Sequence, residues 1–169
     1  FNFSIFVKSC FRFSPKINFM KLNAYQMYIV LADDDEDDRF FFKSAVDEME
    51  FNSKLQMFNG GQELMDYLEK DDVMKPHILF LDLNMPGLSG FDCLKLIRSN
   101  PKLKDISVAI YSTSNSENDI EETLSGGANI YIHKPNEFER LKQIVHHVLK
   151  INWQYQTSGL NRESFFLSI

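Results

Sequence analysis

Residues 80–90, FLDLNMPGLSG, place a carboxylate at the end of an apolar run and follow it with Pro86, Gly87 and Gly90. The run from His77 to Leu81 is short and apolar, as expected of a buried parallel strand, and it ends where Asp82 opens a loop. Pro86 and the two glycines shape that loop and allow close approach of backbone to backbone. Two other segments repeat the arrangement: LADDDED at 31–37, after Tyr28 to Leu31, and YIHKP at 131–135, after Ile130 to Ile132. Parallel strands end on one edge of a sheet, and open α/β sheets bind ligands in the crevice beyond that edge. Asp33, Asp34, Asp82 and Lys134 therefore converge, although the first and last lie about 100 residues apart. Three carboxylates within a few ångströms repel one another by several kcal/mol at an effective dielectric of ~20, so the cluster calls for a cation. Oxygen-only ligands with no paired His/Cys set suit Mg²⁺ or Mn²⁺, with water and a phosphoryl oxygen completing the octahedron.

Working outward, strands and helices alternate. Phe40, Phe41, Ala45, Val46 and Met49 follow the acidic loop at helical spacing. Lys54 to Phe58 reads as a short strand, and Asn59-Gly60-Gly61 turns the chain into a helix carrying Leu64, Met65, Tyr67 and Leu68. Beyond the central stretch, Phe91, Leu94, Leu96 and Ile97 predict a third helix ending at Asn100-Pro101. Ile106 to Tyr111 is a fourth strand, and STSNSEND at 112–119 supplies the N-cap of a helix with Ile120 and Leu124 that Gly126-Gly127 stops. Pro135 biases Lys134 toward an extended backbone. Phe138, Leu141, Ile144, Val145, Val148 and Leu149 then repeat at helical spacing.

These motifs, from about Tyr25 to Asn152, resemble the receiver domain of two-component response regulators. In that family an acidic pair ends the first strand, a phosphoacceptor Asp the third, a Ser/Thr the fourth and a Lys-Pro the fifth. The corresponding residues are Asp33 and Asp34, Asp82, Ser112, and Lys134 with Pro135. The resemblance implies a doubly wound α/β fold: a five-stranded parallel sheet in the order 2-1-3-4-5 with five helices. Register after the apolar strand favours Asp33 and Asp34 over Asp35. Counting from Asp82 and Lys134 favours Ser112 as the switch hydroxyl, with Thr113 in reserve, because adjacent strand residues face opposite sides.

The resemblance also implies roles. The Asp82 carboxylate attacks phosphorus to give an acyl phosphate, and Asp33, Asp34, Asp82 and the backbone carbonyl of Asn84 hold the metal. Lys134 neutralises the phosphoryl group as a point charge, Ser112 hydrogen-bonds it, and Tyr131 changes exposure in step. A histidine kinase or phosphotransfer protein would donate the phosphoryl group. A downstream target would bind the face of the fourth helix, fifth strand and fifth helix. The protein is then a switch rather than a metabolic enzyme. A single Asp at a strand end is ordinarily a cap or a solvated loop residue, and only the combination outweighs that reading. Asp35 to Asp38 reads as a solvated charge run, and His77, His133, His146 and His147 as solvated or capping residues.

A phosphohydrolase of the haloacid dehalogenase type is the rival reading, since it also uses an aspartyl nucleophile, Mg²⁺ and Lys. Such an enzyme needs a second Asp two residues after the nucleophile, where Asn84 stands, and a late acidic pair, whereas Asp33-Asp34 comes early. A receiver-like scaffold that is never phosphorylated is disfavoured because every expected pocket position is filled.

The 169-residue chain allows one domain with tails, and its 44% apolar share suffices for a core. A net charge of −6 argues against a nucleic-acid surface, and no apolar run approaches the ~18–20 residues needed to span a bilayer. Cys10 and Cys93 lack metal-ligand spacing and fit reduced thiols, so a cytoplasmic location is expected. Residues 1–24 are Phe-rich without a continuous apolar core or cleavage site, and are expected to be a disordered or artefactual leader. Residues 25–152 form the receiver unit. Residues 153–169 form a tail whose FFLSI ending has the composition to pack on the domain or on a partner.

Overall fold

The computed structural model describes residues 26–50, 52–158 and 167–168, with side chains to Asn152. The expected leader at 1–24, Cys10 and the side chains of the tail lie outside the described residues. The strands are β1 (Met27–Ala32), β2 (Ser53–Phe58), β3 (Ile78–Leu81), β4 (Ser107–Ser112), β5 (Ile130–His133) and β6 (Leu167–Ser168). Between them run α1 (Glu36–Asp47), α2 (Gly61–Leu68), α3 (Gly90–Ser99), α4 (Glu117–Ser125) and α5 (Phe138–Ser158). The five expected strands are parallel in the order β2-β1-β3-β4-β5.

A sixth strand extends this sheet. Leu167 and Ser168 pair in parallel with Ile130 and Tyr131, so these two residues of the FFLSI segment lie along the outer edge of β5. An outer strand carries a row of unpaired N–H and C=O groups that such pairing satisfies. Helix α5 also continues to Ser158, past the expected boundary at residue 152.

The central strands are buried on both faces, and their alternation sorts side chains into two cores. Tyr28, Val30, Ala32, Leu79, Leu81, Val108, Ile110 and Tyr131 join one, packed with residues of α2 and α3. Met27, Ile29, Leu31, Ile78, Phe80, Ala109, Ile130 and Ile132 join the other, packed with residues of α1 and α5. The phase of α1 differs from the expected one. Phe42, Ala45 and Val46 are its buried residues, while Phe40 is 70% exposed. The stripe 42, 45, 46, 49 has the i, i+3, i+4, i+7 spacing of one helical face. Leu96 of α3 likewise points outward.

His77 has a structural role rather than a solvated one. It is half-buried, and its Nδ1 accepts the Tyr28 N–H at 2.8 Å, tying the start of β3 to β1. Burial lowers its pKa, as the accepting Nδ1 requires. His133, His146 and His147 are exposed.

Candidate functional site

Three backbone hydrogen bonds carry the strand ladders past the strand ends: Asp33 N–H to Phe58 O at 3.1 Å, Asp82 N–H to Ala32 O at 2.9 Å and Lys134 N–H to Ser112 O at 2.8 Å. The residues that close β1, β3 and β5 are therefore held as rigidly as the sheet. Continuing the alternation, Asp33, Asp82 and Lys134 follow Leu31, Phe80 and Ile132, all in the α1/α5 core. Ser112 follows Ile110, and with Tyr131 belongs to the opposite face.

The carboxylates of Asp33, Asp34 and Asp82 place ligand atoms within 4.8 Å of one another. Asp33 and Asp82 are buried and Asp34 is exposed. Asp33 Oδ1 accepts the Asp35 N–H at 3.1 Å and Asp33 Oδ2 faces the Lys134 ammonium, but Asp82 Oδ1 is buried with no hydrogen-bond partner. A buried carboxylate oxygen left without a donor carries a large desolvation cost. Hard oxygen donors facing one another at a solvent-open edge fit a hard divalent cation that retains several waters. Asn84 lies exposed in the loop after Asp82.

Lys134 supplies the internal positive charge. Its side chain is 7% exposed, with Nζ 2.8 Å from Asp33 Oδ2, 2.8 Å from Asp38 Oδ2 and 3.6 Å from Asp82 Oδ2. Nζ also lies 5.3 Å from the centre of the Tyr111 ring. Burial alone would lower the lysine pKa, but the contacts with Asp33 and Asp38 outweigh it and hold the ammonium charged. Burial pushes Asp33 up to about 6, although Lys134 pulls in the other direction.

The loop after β3 is shaped by contact. Gly87 adopts φ +78, and a Cβ on Gly90 would lie 2.1 Å from the Asp82 carbonyl oxygen. Ser89 caps α3 through a capping box with Asp92, so the loop after β3 passes directly into the helix.

On the opposite face, Ser112 is fully buried and Thr113 is exposed, which separates the two hydroxyls by strand alternation. Ser112 Oγ accepts the Ser114 N–H at 3.2 Å, and the buried Tyr131 donates its hydroxyl to Ser114 O at 2.9 Å. Ser114 therefore joins the two expected switch residues, and its hydroxyl also bonds Asp119 Oδ2 at 2.5 Å in the first turn of α4. Sequence reasoning missed Ser114 and Asp38. Ser114 was visible only as one of several small polar residues in STSNSEND. Asp38 belongs to a run read as solvated, whereas its carboxylate reaches the Lys134 ammonium.

With this geometry established, the comparisons identify the class. The response regulator receiver domain matches residues 29–146, and the chain belongs to that family. It is a receiver domain of two-component signalling, and the phosphohydrolase reading is set aside. Among its relatives, "Chemotaxis protein CheY1" of Helicobacter pylori is 28% identical over 126 residues, covering 75% of this chain and 99% of that protein. "Response regulator Rcp1" of Synechocystis is 26% identical over 121 residues, covering 69% of this chain and 82% of that protein. Similar solved structures include the phosphorylated cyanobacterial phytochrome response regulator RcpA, with a TM-score of 0.70 at 29% identity, covering 81% of this chain and 98% of that one. A Mn²⁺-bound form of Rcp1 has a TM-score of 0.66 at 26% identity, covering 72% of this chain and 91% of that one. Receiver domains are phosphoacceptor signalling domains that bind a divalent metal and work with kinases or phosphotransfer proteins and with downstream targets. None of the described helices is long and apolar enough to cross a membrane.

Proposed function

We propose that Asp82 is the phosphoacceptor of this receiver. The observation that carries the reading is its buried carboxylate, with one oxygen unpartnered, set beside both the Asp33/Asp34 pair and the Lys134 ammonium. An Asp82 oxygen attacks the phosphorus of a phosphohistidine on a histidine kinase or phosphotransfer protein. A C–O–P acyl phosphate bond forms, the N–P bond breaks, and the imidazole leaves with the electron pair. Asp33, Asp34, Asp82 and the Asn84 carbonyl would hold Mg²⁺ or Mn²⁺, which when bound neutralises phosphoryl oxygen charge. Lys134 offsets the remaining charge, and the buried Ser112 hydroxyl reaches the phosphoryl group from β4.

The switch output follows from Ser114. Drawing Ser112 toward a phosphoryl group disturbs the loop that Tyr131 and Asp119 also hold, so the change passes to α4 and β5 and presents a target-binding face on α4, β5 and α5. Residues 25–152 form the receiver unit in this reading, and its location is cytoplasmic, where kinase partners work and a free, buried Cys93 stays reduced. Incubation with Mg²⁺ and acetyl phosphate, followed by intact-mass measurement, tests the assignment. One added phosphate, labile to hydroxylamine and absent in Asp82→Asn, is expected; an adduct retained in that variant refutes it.

A further inference from the structure

We infer that Asp38 is the resting counter-ion of Lys134, a positioning residue that holds the ammonium off Asp82 until a phosphoryl group draws it across. The inference rests on Asp82 as the phosphoacceptor. An ammonium has three hydrogens to place. In this structure Asp33 and Asp38 each lie 2.8 Å from Nζ, whereas Asp82 stands at 3.6 Å, beyond hydrogen-bond range.

The two close partners are not equivalent. Asp33 is fully buried and anchored through Oδ1, while the Asp38 side chain is 37% exposed. Releasing Asp38 returns a carboxylate to water at small cost, and releasing Asp33 strands one in the interior. Asp38 is therefore the exchangeable partner. Its place is built rather than accidental: Asp35 caps α1 by accepting the N–H groups of Asp37 and Asp38 at 2.8 and 3.1 Å. Arg39 secures the turn by donating to Asp33 O at 2.7 Å.

A phosphoryl group on Asp82 adds negative charge and strong acceptor oxygens close to Nζ. Lys134 then trades Asp38 for that group, and the first turn of α1 loses its tie to the residues after β5. The rest of α1 stays docked on α5 through Phe41 with Phe138, ring centres 5.3 Å apart, and Lys142 with Glu48 at 2.9 Å. The phosphoryl state is thereby reported on the exposed start of α1 as well as through Ser112.

The test titrates beryllofluoride with Mg²⁺, a phosphoryl mimic, into wild type, Asp38→Asn, Asp38→Glu and Asp37→Asn. Asp37→Asn removes the same charge from the same turn without touching Lys134. Asp38→Asn is expected to bind the mimic about 5-fold more tightly, Asp37→Asn to change less than about 2-fold, and Asp38→Glu to return toward wild type. With no mimic present, the Lys134 ammonium resonance should shift in Asp38→Asn and not in Asp37→Asn. Equal affinities in Asp38→Asn and Asp37→Asn, or an unmoved ammonium resonance, overturn the inference. A wild type that takes up no mimic overturns the phosphoacceptor reading and this inference with it.

Discussion

Replacing Lys134 by Met removes the ammonium and keeps much of the apolar stem, so the consequence falls on the buried acids. Asp33 ionises at 3.8 when unfolded and at about 6 when folded. Between those values the native state holds a proton that the unfolded chain has lost, and stability falls as pH rises; above about 6 both states are ionised and the curve is flat. In Lys134→Met the contribution that lowers the Asp33 value is gone, so its native carboxyl stays protonated to a higher pH. The variant then keeps losing about 1.4 kcal/mol per pH unit where the wild type has levelled off. The stability gap between the two should widen steadily from pH 6 to pH 7.5, by at most about 1.4 kcal/mol per pH unit. Urea unfolding in EDTA across that range measures the gap. Saturating Mg²⁺ should narrow it again, because a bound cation replaces the missing charge beside the carboxylates. A gap that stays constant from pH 6 to 7.5 in EDTA would show that Lys134 does not hold Asp33 ionised.

Asp34→Ala should remove most Mg²⁺ binding in a calorimetric titration, since it deletes the exposed member of the carboxylate set; unchanged affinity sinks the metal assignment. Gly90→Ala should cost about 3 kcal/mol in urea unfolding, because its Cβ meets the Asp82 carbonyl at 2.1 Å and neither backbone segment can give way; a neutral effect would mean that the loop is loose. Tyr131→Phe should cost about 1 kcal/mol through the lost bond to the Ser114 carbonyl, and amide resonances should move from Ser112 to Ser116, with silence there counting against the coupling. His77 has a lowered pKa, so its contribution is complete above the unfolded value of 6.5 and is lost as pH falls below it. The wild type should lose more thermal stability than His77→Gln between pH 7 and pH 5, and parallel curves would contradict the role of Nδ1 as acceptor.

Much of this fold is local information. Four apolar runs of strand length and the mixed edge segment Ser53–Phe58 specify the parallel strands, and parallel strands must deliver their ends to one edge. That is why Asp33, Asp34, Asp82 and Lys134 were legible as a cluster: each follows its own strand by one or two residues. Strand parity made Ser112 preferable to Thr113 for the same local reason. What packs over that edge is not local. Phe40, Phe41 and Phe42 are adjacent and equally apolar, and only contact with Phe80 and Tyr111, at ring distances of 4.8 and 5.5 Å, selects Phe42 as the buried one. That choice sets the rotation of α1. The same rotation brings Asp38 out of a run of similar acids and onto Lys134, 96 residues away. The sixth strand is decided likewise by the free edge of β5, a feature that exists only once the sheet is assembled. Strand ends follow from residue order because a strand is a local object with a period of two. Helix phase, ion-pair choice and edge pairing depend on which surfaces meet, and only the tertiary structure determines that.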